Sequence, residues 1–197
     1  MINEKFVLLG AVLNLIGSTN YVWNTIKGKT QPNRVTWFLW ALAPLIAFSA
    51  MIGEGVGLSS LMTFMVGFGP LMVFVASFVN RKSVWKLTRF DMLCGFLSLF
   101  GMGLWLITDD PNLAIAFSVL ADGLALLPTL RKAWLEPESE SWLIFLNGAI
   151  SAFITMLTFD KWTFAVAAFP VYIFVVCTVL FLTIRFRLGP TLSRRFG

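Results

Sequence analysis

The chain has 197 residues, of which 58% are hydrophobic and 13% are charged, and it contains no histidine. A soluble domain of this length carries roughly a quarter charged residues, so the composition predicts an integral membrane protein. Two isolated cysteines without histidine match no common zinc or haem pattern, and we expect no metal and no cofactor. The net charge of +5 comes from basic residues scattered at the ends of apolar segments, which argues against a nucleic-acid partner.

Seven apolar segments are about long enough to cross the hydrocarbon core of a bilayer, which takes roughly 20 helical residues. These predicted spans are 6–26, 35–53, 57–79, 91–108, 112–130, 141–159 and 162–184. The polar breaks between several of them are so short that consecutive helices must be antiparallel neighbours. The sequence therefore predicts an all-α, multi-pass protein of the plasma membrane or the bacterial inner membrane, with the lipid bilayer as its surroundings.

Lysine and arginine are concentrated at one set of span ends, which holds 13 of the 15 basic residues. Because cytoplasmic loops carry an excess of these residues, we expect the N-terminus outside and the C-terminus in the cytoplasm. Tryptophans near span ends are expected to form an interfacial aromatic belt. They are Trp23, Trp37, Trp134, Trp142 and Trp162.

An internal repeat relates the third and seventh spans. "MTFMVGFGPLMVFV" (62–75) aligns without a gap to "WTFAVAAFPVYIFV" (162–175) and shares a threonine and a mid-helix proline. Segment 25–42 likewise parallels 129–147, with one inserted residue. We therefore expect two parallel three-helix repeats joined by a linker helix (3+1+3), an arrangement that secondary transporters use. The predicted units are 1–80 (first repeat), 81–110 (linker), 111–187 (second repeat) and 188–197 (basic cytoplasmic tail).

The segment "LLPTLRKAWLEPESESWLIFLNGAISAF" (126–153) has Pro128-Thr129 before a basic loop rich in serine. Together with the 3+1+3 pattern, this segment resembles the SWEET and PQ-loop (MtN3-like) transporter superfamily, which has Pro-Gln or Pro-Thr at that place. The resemblance implies a seven-helix scaffold that moves small solutes by alternating access.

Polar and small residues recur along one face of the first and fifth spans. An offset of 104 residues aligns Asn14 with Ser118, Ser18 with Asp122 and Thr25 with Thr129. Lipid offers polar atoms no partner, so these stripes should face the bundle interior. The predicted solute-binding residues are Asn14, Ser18, Asn20, Tyr21, Ser118 and Asn147. Simple interhelical contact is the alternative, above all for the serines.

Asp122 lies near the centre of its span, where a carboxylate costs roughly 2.5–3.5 kcal/mol on insertion scales. No lysine or arginine lies at matching depth in another span, so we expect a functional acid. Two roles stay open, namely proton coupling and counter-charge for a cationic solute. Four prolines inside spans are predicted hinges or gates: Pro44, Pro70, Pro128 and Pro170. The alternative, a purely structural kink, applies most to Pro44.

The sequence favours a transporter of a small polar or cationic solute through a midplane cavity between the repeats. The alternative is a receptor or sensor on the same scaffold that binds a ligand without translocating it. No nucleophile–base pair or phosphate loop indicates an enzyme, and the pattern is compatible with a homo-oligomer. We expect Glu136, Glu138 and Glu140 to lie in a solvated loop, and Asp91 to be interfacial.

Overall fold

The computed structural model describes residues 3, 5–53, 60–80, 85–107, 111–159 and 162–196. In these ranges the chain forms eight α-helices and a short 3-10 turn (Pro137–Ser139), with no strand. The helices are α1 (Phe6–Ile26), α2 (Arg34–Gly53), α3 (Ser60–Ala76), α4 (Arg89–Leu106), α5 (Pro111–Leu135), α6 (Trp142–Leu157), α7 (Phe164–Arg185) and α8 (Leu188–Phe196). Each of the seven predicted spans coincides with one of the first seven helices, which confirms the all-α prediction.

Two of the described helical segments, Phe6–Ile26 and Ala167–Arg185, are long and apolar enough to cross a membrane. Leu61–Ala76 and Trp142–Leu157 are apolar but shorter. Large apolar side chains are exposed along α1 and α4. Those with more than two-fifths of their surface exposed include Phe6, Leu8, Leu9, Val12, Ile16, Met92, Leu93, Phe96, Leu99 and Phe100.

Six helices form a closed ring. Within the first three, α3 packs against both α1 and α2, and within α5–α7 it is α7 that packs against both α5 and α6. The two sets meet where α1 packs on α6 and where α2 packs on α5. The helix order around the ring is therefore 1-3-2-5-7-6, so the middle position in each set is held by its third helix. Helix α4 lies outside the ring, against α5 and α2.

Polar side chains fix the starts of two helices. Asn33 precedes α2, and its Oδ1 accepts hydrogen bonds from the backbone N–H groups of Val35 (3.1 Å) and Thr36 (3.4 Å). Thr88 and Asp91 form a reciprocal capping box at α4, with 2.5 Å from Thr88 N to Asp91 Oδ2. Asp91 is 2% exposed. Its carboxylate is turned inwards because it satisfies the first turn of α4.

The core near the ends of α1 and α5 is aromatic. Trp37 is 1% exposed and packs against Tyr21, with ring centroids 4.7 Å apart, and against Trp40 at 5.4 Å. The prediction that Trp37 belongs to an interfacial belt was therefore wrong. Trp37 is on the face of α2 that turns into the ring. Trp23, Trp134, Trp142 and Trp162 are exposed, as a belt requires.

Candidate functional site

A cavity of about 80 Å³ lies inside the ring, and every ring helix contributes to its wall. Its lining residues are Asn14, Ser18, Trp37, Trp40, Met62, Val66, Pro70, Asp122, Ile144, Phe145, Gly148, Ile173, Val176, Cys177 and Leu180. Since one water needs roughly 10–15 Å³ by this measure, the space admits several waters or a small solute. Among these lining residues Asp122 is the only one that can carry a charge at neutral pH.

Asp122 is half-buried on α5 and is held by a residue of the neighbouring helix α7. The hydroxyl of Tyr172 on α7 donates a hydrogen bond to Asp122 Oδ2 at 2.7 Å. The indole N–H of Trp40 on α2 lies beside the same carboxylate. Tyr172 therefore orients the acid as a neutral donor, while the Trp40 Nε1 makes no hydrogen bond within the described residues. No ion pair involving Asp122 is found in the described part of the chain.

Asn14 and Ser18 place polar atoms on the cavity wall formed by α1. Asn14 Nδ2 donates to Ser151 Oγ on α6 at 3.1 Å. Ser18 is 1% exposed and packs against Gly69 of α3, and its hydroxyl has no hydrogen-bond partner among the described residues. A buried hydroxyl without a partner is costly, which makes Ser18 available to a solute or a water in the cavity.

Two indoles and a phenyl ring form the apolar part of the wall. Trp37 and Trp40 meet edge to face, at 82° between ring planes, and Phe145 lies 6.4 Å from each of them. Aromatic faces attract cations and also pack against apolar groups. The carboxylate of Asp122 and these rings together form a surface suited to an organic cation.

A second cavity of about 90 Å³ adjoins the first and shares Met62, Val66 and Ile173 with it. It is lined further by Thr63 and Thr155, among others, which lie towards the start of α3 and the end of α6. The two cavities thus follow one direction through the ring, away from the ends of α1, α5 and α7.

The opposite end of the ring is closed by a buried polar cluster, which we call the basic-end cluster: Tyr21, Gln31, Lys132 and Glu140. Lys132 and Glu140 form an ion pair with both side chains fully buried, Lys132 also donates to the carbonyl of Gln31, and Tyr21 donates to Glu140. Lys132 lies beyond the predicted span 112–130, and burial lowers its pKa while Glu140 opposes this shift. Because Tyr21 packs directly on Trp37, the cluster lies one layer beyond the cavity.

Glu140 corrects the sequence-based expectation of a solvated loop. Glu136 and Glu138 are exposed, as expected, and Glu138 pairs on the surface with Arg187 at 3.0 Å. Glu140 is buried because the turn after α5 folds inwards and brings its carboxylate against Lys132 and Tyr21.

Three of the predicted solute-binding residues lie away from the cavity lining. Asn20 accepts hydrogen bonds from Asn24 (3.0 Å) and from Ser141 at the start of α6 (3.2 Å). Tyr21 belongs to the basic-end cluster. Asn147 donates to the carbonyl of Leu13 at 2.9 Å and packs against α1. These three connect helices, whereas Asn14, Ser18 and Asp122 are brought together around the cavity.

The remaining predicted residues are distributed over the ring. Ser118 lies in α5, but its side chain falls outside the described part of the structure. Pro70 lines the first cavity and Pro170 lines the second, whereas Pro44 and Pro128 are buried in α2 and α5. The sequence analysis did not predict a role for Tyr172. The signal that could have found it is its rarity, since the chain has only two tyrosines and each donates to a carboxylate.

No cluster of three or more metal-ligating side chains occurs among the residues that the structure describes. Comparison of the chain with protein families, with curated proteins and with solved structures finds no significant match.

Proposed function

We propose that the chain is a seven-helix membrane transporter, built as two parallel three-helix repeats around a linker helix and resembling the SWEET and PQ-loop superfamily. It moves a small polar or cationic solute through the cavity by alternating access. One observation carries this proposal: a cavity walled by all six ring helices is lined by a single carboxylate, Asp122, which is held by the neutral hydroxyl of Tyr172. The same helix order in both halves supports the repeat.

The membrane location is supported by composition and by surface. Monomeric soluble proteins rarely expose contiguous apolar patches larger than a few hundred Å². Here α1 and α4 expose whole rows of leucine, valine and phenylalanine, and polar groups are turned into the ring. In lipid, exposing these apolar side chains carries no free-energy penalty.

Asp122 is the counter-charge for the solute in this proposal. Its carboxylate and the rings of Trp37 and Trp40 surround one side of the cavity, and together they favour an organic cation. Proton coupling through the same carboxylate is the second role. In that case Tyr172 holds the acid in place while it gains or loses a proton.

The difference between the two ends of the ring supports alternating access. The basic-end cluster closes the cavity on one side, while the second cavity continues towards the other. Opening the closed end requires Lys132 and Glu140 to separate from Gln31 and Tyr21, which belong to the other three-helix set. Pro70 and Pro170, each of which removes one backbone hydrogen bond from its helix, supply hinges for that rocking motion.

A thermal-shift screen tests this function on the purified full chain. The panel contains amines, amino acids, sugars and vitamins, each at several pH values, and Asp122→Asn is screened in parallel. We expect at least one cationic member to stabilise the wild type and not the variant. Stabilisation by neutral sugars alone, equal in both proteins, would exclude Asp122 as the counter-charge. A stabilising solute that is bound but never transported would instead favour the receptor or sensor.

A further inference from the structure

A second binding site lies on the outer surface of the ring, between the start of α2, the end of α3 and the start of α4. There a groove of about 510 Å³ is lined almost entirely by apolar side chains, with Arg34 as its one charged lining residue. Phe38, Phe78, Met92, Phe96 and Leu99 each expose two-fifths or more of their surface in it. The groove lies outside the central cavity and shares no lining residue with it.

Arg34 is placed at the polar end of this groove with hydrogen-bonding capacity to spare. Its Nε donates to Ser77 Oγ at 3.1 Å, its Nη2 donates to Ser77 O at 2.7 Å, and its guanidinium lies 4.0 Å from the ring centre of Phe78. A guanidinium has five N–H groups, so three are left for an oxygen ligand. Within the described ranges no carboxylate pairs with Arg34.

Helix α4 extends the same pattern. Arg89, Met92, Phe96 and Leu99 follow each other at intervals of three and four residues, which puts them on one face of the helix. The exposed Arg89 lies about one turn before Met92 on that face, next to the groove but outside its lining. From Met92 to Leu99 the helix rises about 10 Å, most of the roughly 15 Å depth of one bilayer leaflet.

We propose that this groove binds an anionic membrane phospholipid. Its phosphate is held by Arg34, with Arg89 adding positive charge, and one acyl chain lies along Phe96 and Leu99. Charge complementarity selects this occupant, because an arginine without an acidic partner at the head of an apolar groove matches a phosphodiester above an acyl chain. The site rests on the proposed membrane location and is independent of transport.

The test uses delipidated full-length protein in detergent and two lipids with identical acyl chains, dioleoylphosphatidylglycerol and dioleoylphosphatidylcholine. The readout is the lipid concentration that gives half of the maximal thermal stabilisation. We expect the anionic lipid to act at about tenfold lower concentration than the zwitterionic one. Arg34→Gln, which can still donate to Ser77, is expected to abolish that preference, and Arg34→Lys to weaken it. Arg185→Gln is the matched control, since Arg185 is an exposed arginine of α7 whose guanidinium lies over the ring of Trp142. This variant should keep the lipid preference.

Equal action of the two lipids, or a preference that survives Arg34→Gln, would overturn the site. The same holds if inorganic phosphate or glycerol phosphate stabilises as well as the intact lipid, because the acyl chain then contributes nothing. Carbonate extraction of membranes separates this result from the proposed function. If carbonate releases the chain from membranes, both the lipid site and the proposed function are wrong. If the chain stays in the membrane and shows the lipid preference but no solute flux, only the proposed transport is wrong.

Discussion

Tyr172 on α7 donates a hydrogen bond to Asp122 on α5, with 2.7 Å between Oη and Oδ2. The alignment of the two halves puts Ser18 at the place of Asp122 and Met72 at the place of Tyr172. The acid and its donor are therefore both confined to the second half. The cavity is asymmetric because the first half presents a hydroxyl where the second presents a carboxylate.

Asp122→Asn is expected to reduce solute uptake by tenfold or more while the protein folds normally. The amide keeps the shape and hydrogen-bonding capacity of the carboxylate but lacks its negative charge. Uptake into proteoliposomes and thermal unfolding measure the two effects separately. Glu138→Gln is the matched control, because it removes an equal charge from an exposed surface residue. Normal uptake by Asp122→Asn would remove this carboxylate from the mechanism.

Tyr172→Phe is expected to lower uptake several-fold, mainly through a weaker apparent affinity for the solute. The ring stays and only the donor that orients Asp122 is lost. Thr183→Val is the comparison, since the hydroxyl of Thr183 on the same helix donates only to the carbonyl of Val179, at 2.8 Å. If both variants change uptake equally, the effect belongs to α7 in general and not to the hydrogen bond.

Glu140→Leu is expected to destabilise the protein by about 3–5 kcal/mol, because it leaves the amine of Lys132 buried without its partner. The double variant Lys132→Met/Glu140→Leu should recover most of that loss. Arg187→Gln, which breaks the exposed pair with Glu138, is expected to cost less than about 1 kcal/mol. Denaturant unfolding in detergent checks all three. A Glu140→Leu protein as stable as the wild type contradicts the buried position.

Trp37→Ala is expected to cost about 3–5 kcal/mol of stability, since it removes a buried indole that packs against Tyr21 and Phe145. Trp23→Ala should change the free energy of unfolding much less, because Trp23 is 59% exposed. Unfolding measured in the same detergent compares the two. Equal losses would mean that Trp37 is not the core residue described above.

Cys177 lines the cavity and is a natural probe of it, whereas Cys94 is buried in α4. The background variant Cys94→Ser leaves Cys177 as the reactive thiol. A small cationic thiosulfonate should modify Cys177 faster than a neutral one of similar size, because Asp122 attracts the cation. Asp122→Asn should remove that difference. Mass spectrometry follows the reaction, and an unchanged ratio of the two rates would separate Asp122 from the space around Cys177.

The sequence predicted the helices well. Hydropathy and polar breaks placed the first span at 6–26 and the sixth at 141–159, within two residues of α1 and α6. Helix α8 was not predicted as a helix, since its segment carries a glycine, a proline and two arginines in nine residues. Backbone periodicity and length are local properties, so a single sequence suffices to read them.

Side-chain neighbours were harder to predict because they depend on which helices meet. Asp122, Asn14 and Ser18 were found because a polar residue in an apolar helix has few options. The predicted surroundings of Trp37 and Glu140 were wrong. The sequence pattern around an aromatic or acidic residue near a helix end is the same whether its side chain faces lipid, water or the ring interior. The turn that carries Glu140 against Lys132 has no signature in sequence spacing.

Proteoliposome uptake measures whether a solute crosses the membrane through the cavity at Asp122. The vesicles contain a pH-sensitive dye and receive the cationic solute that stabilises the protein best in the thermal screen, with glucose as the neutral comparison. We expect saturable accumulation of the cation by the wild type and no accumulation by Asp122→Asn. The internal pH changes only if protons are coupled. Tight binding of the cation without any accumulation by the wild type would contradict the proposed transport.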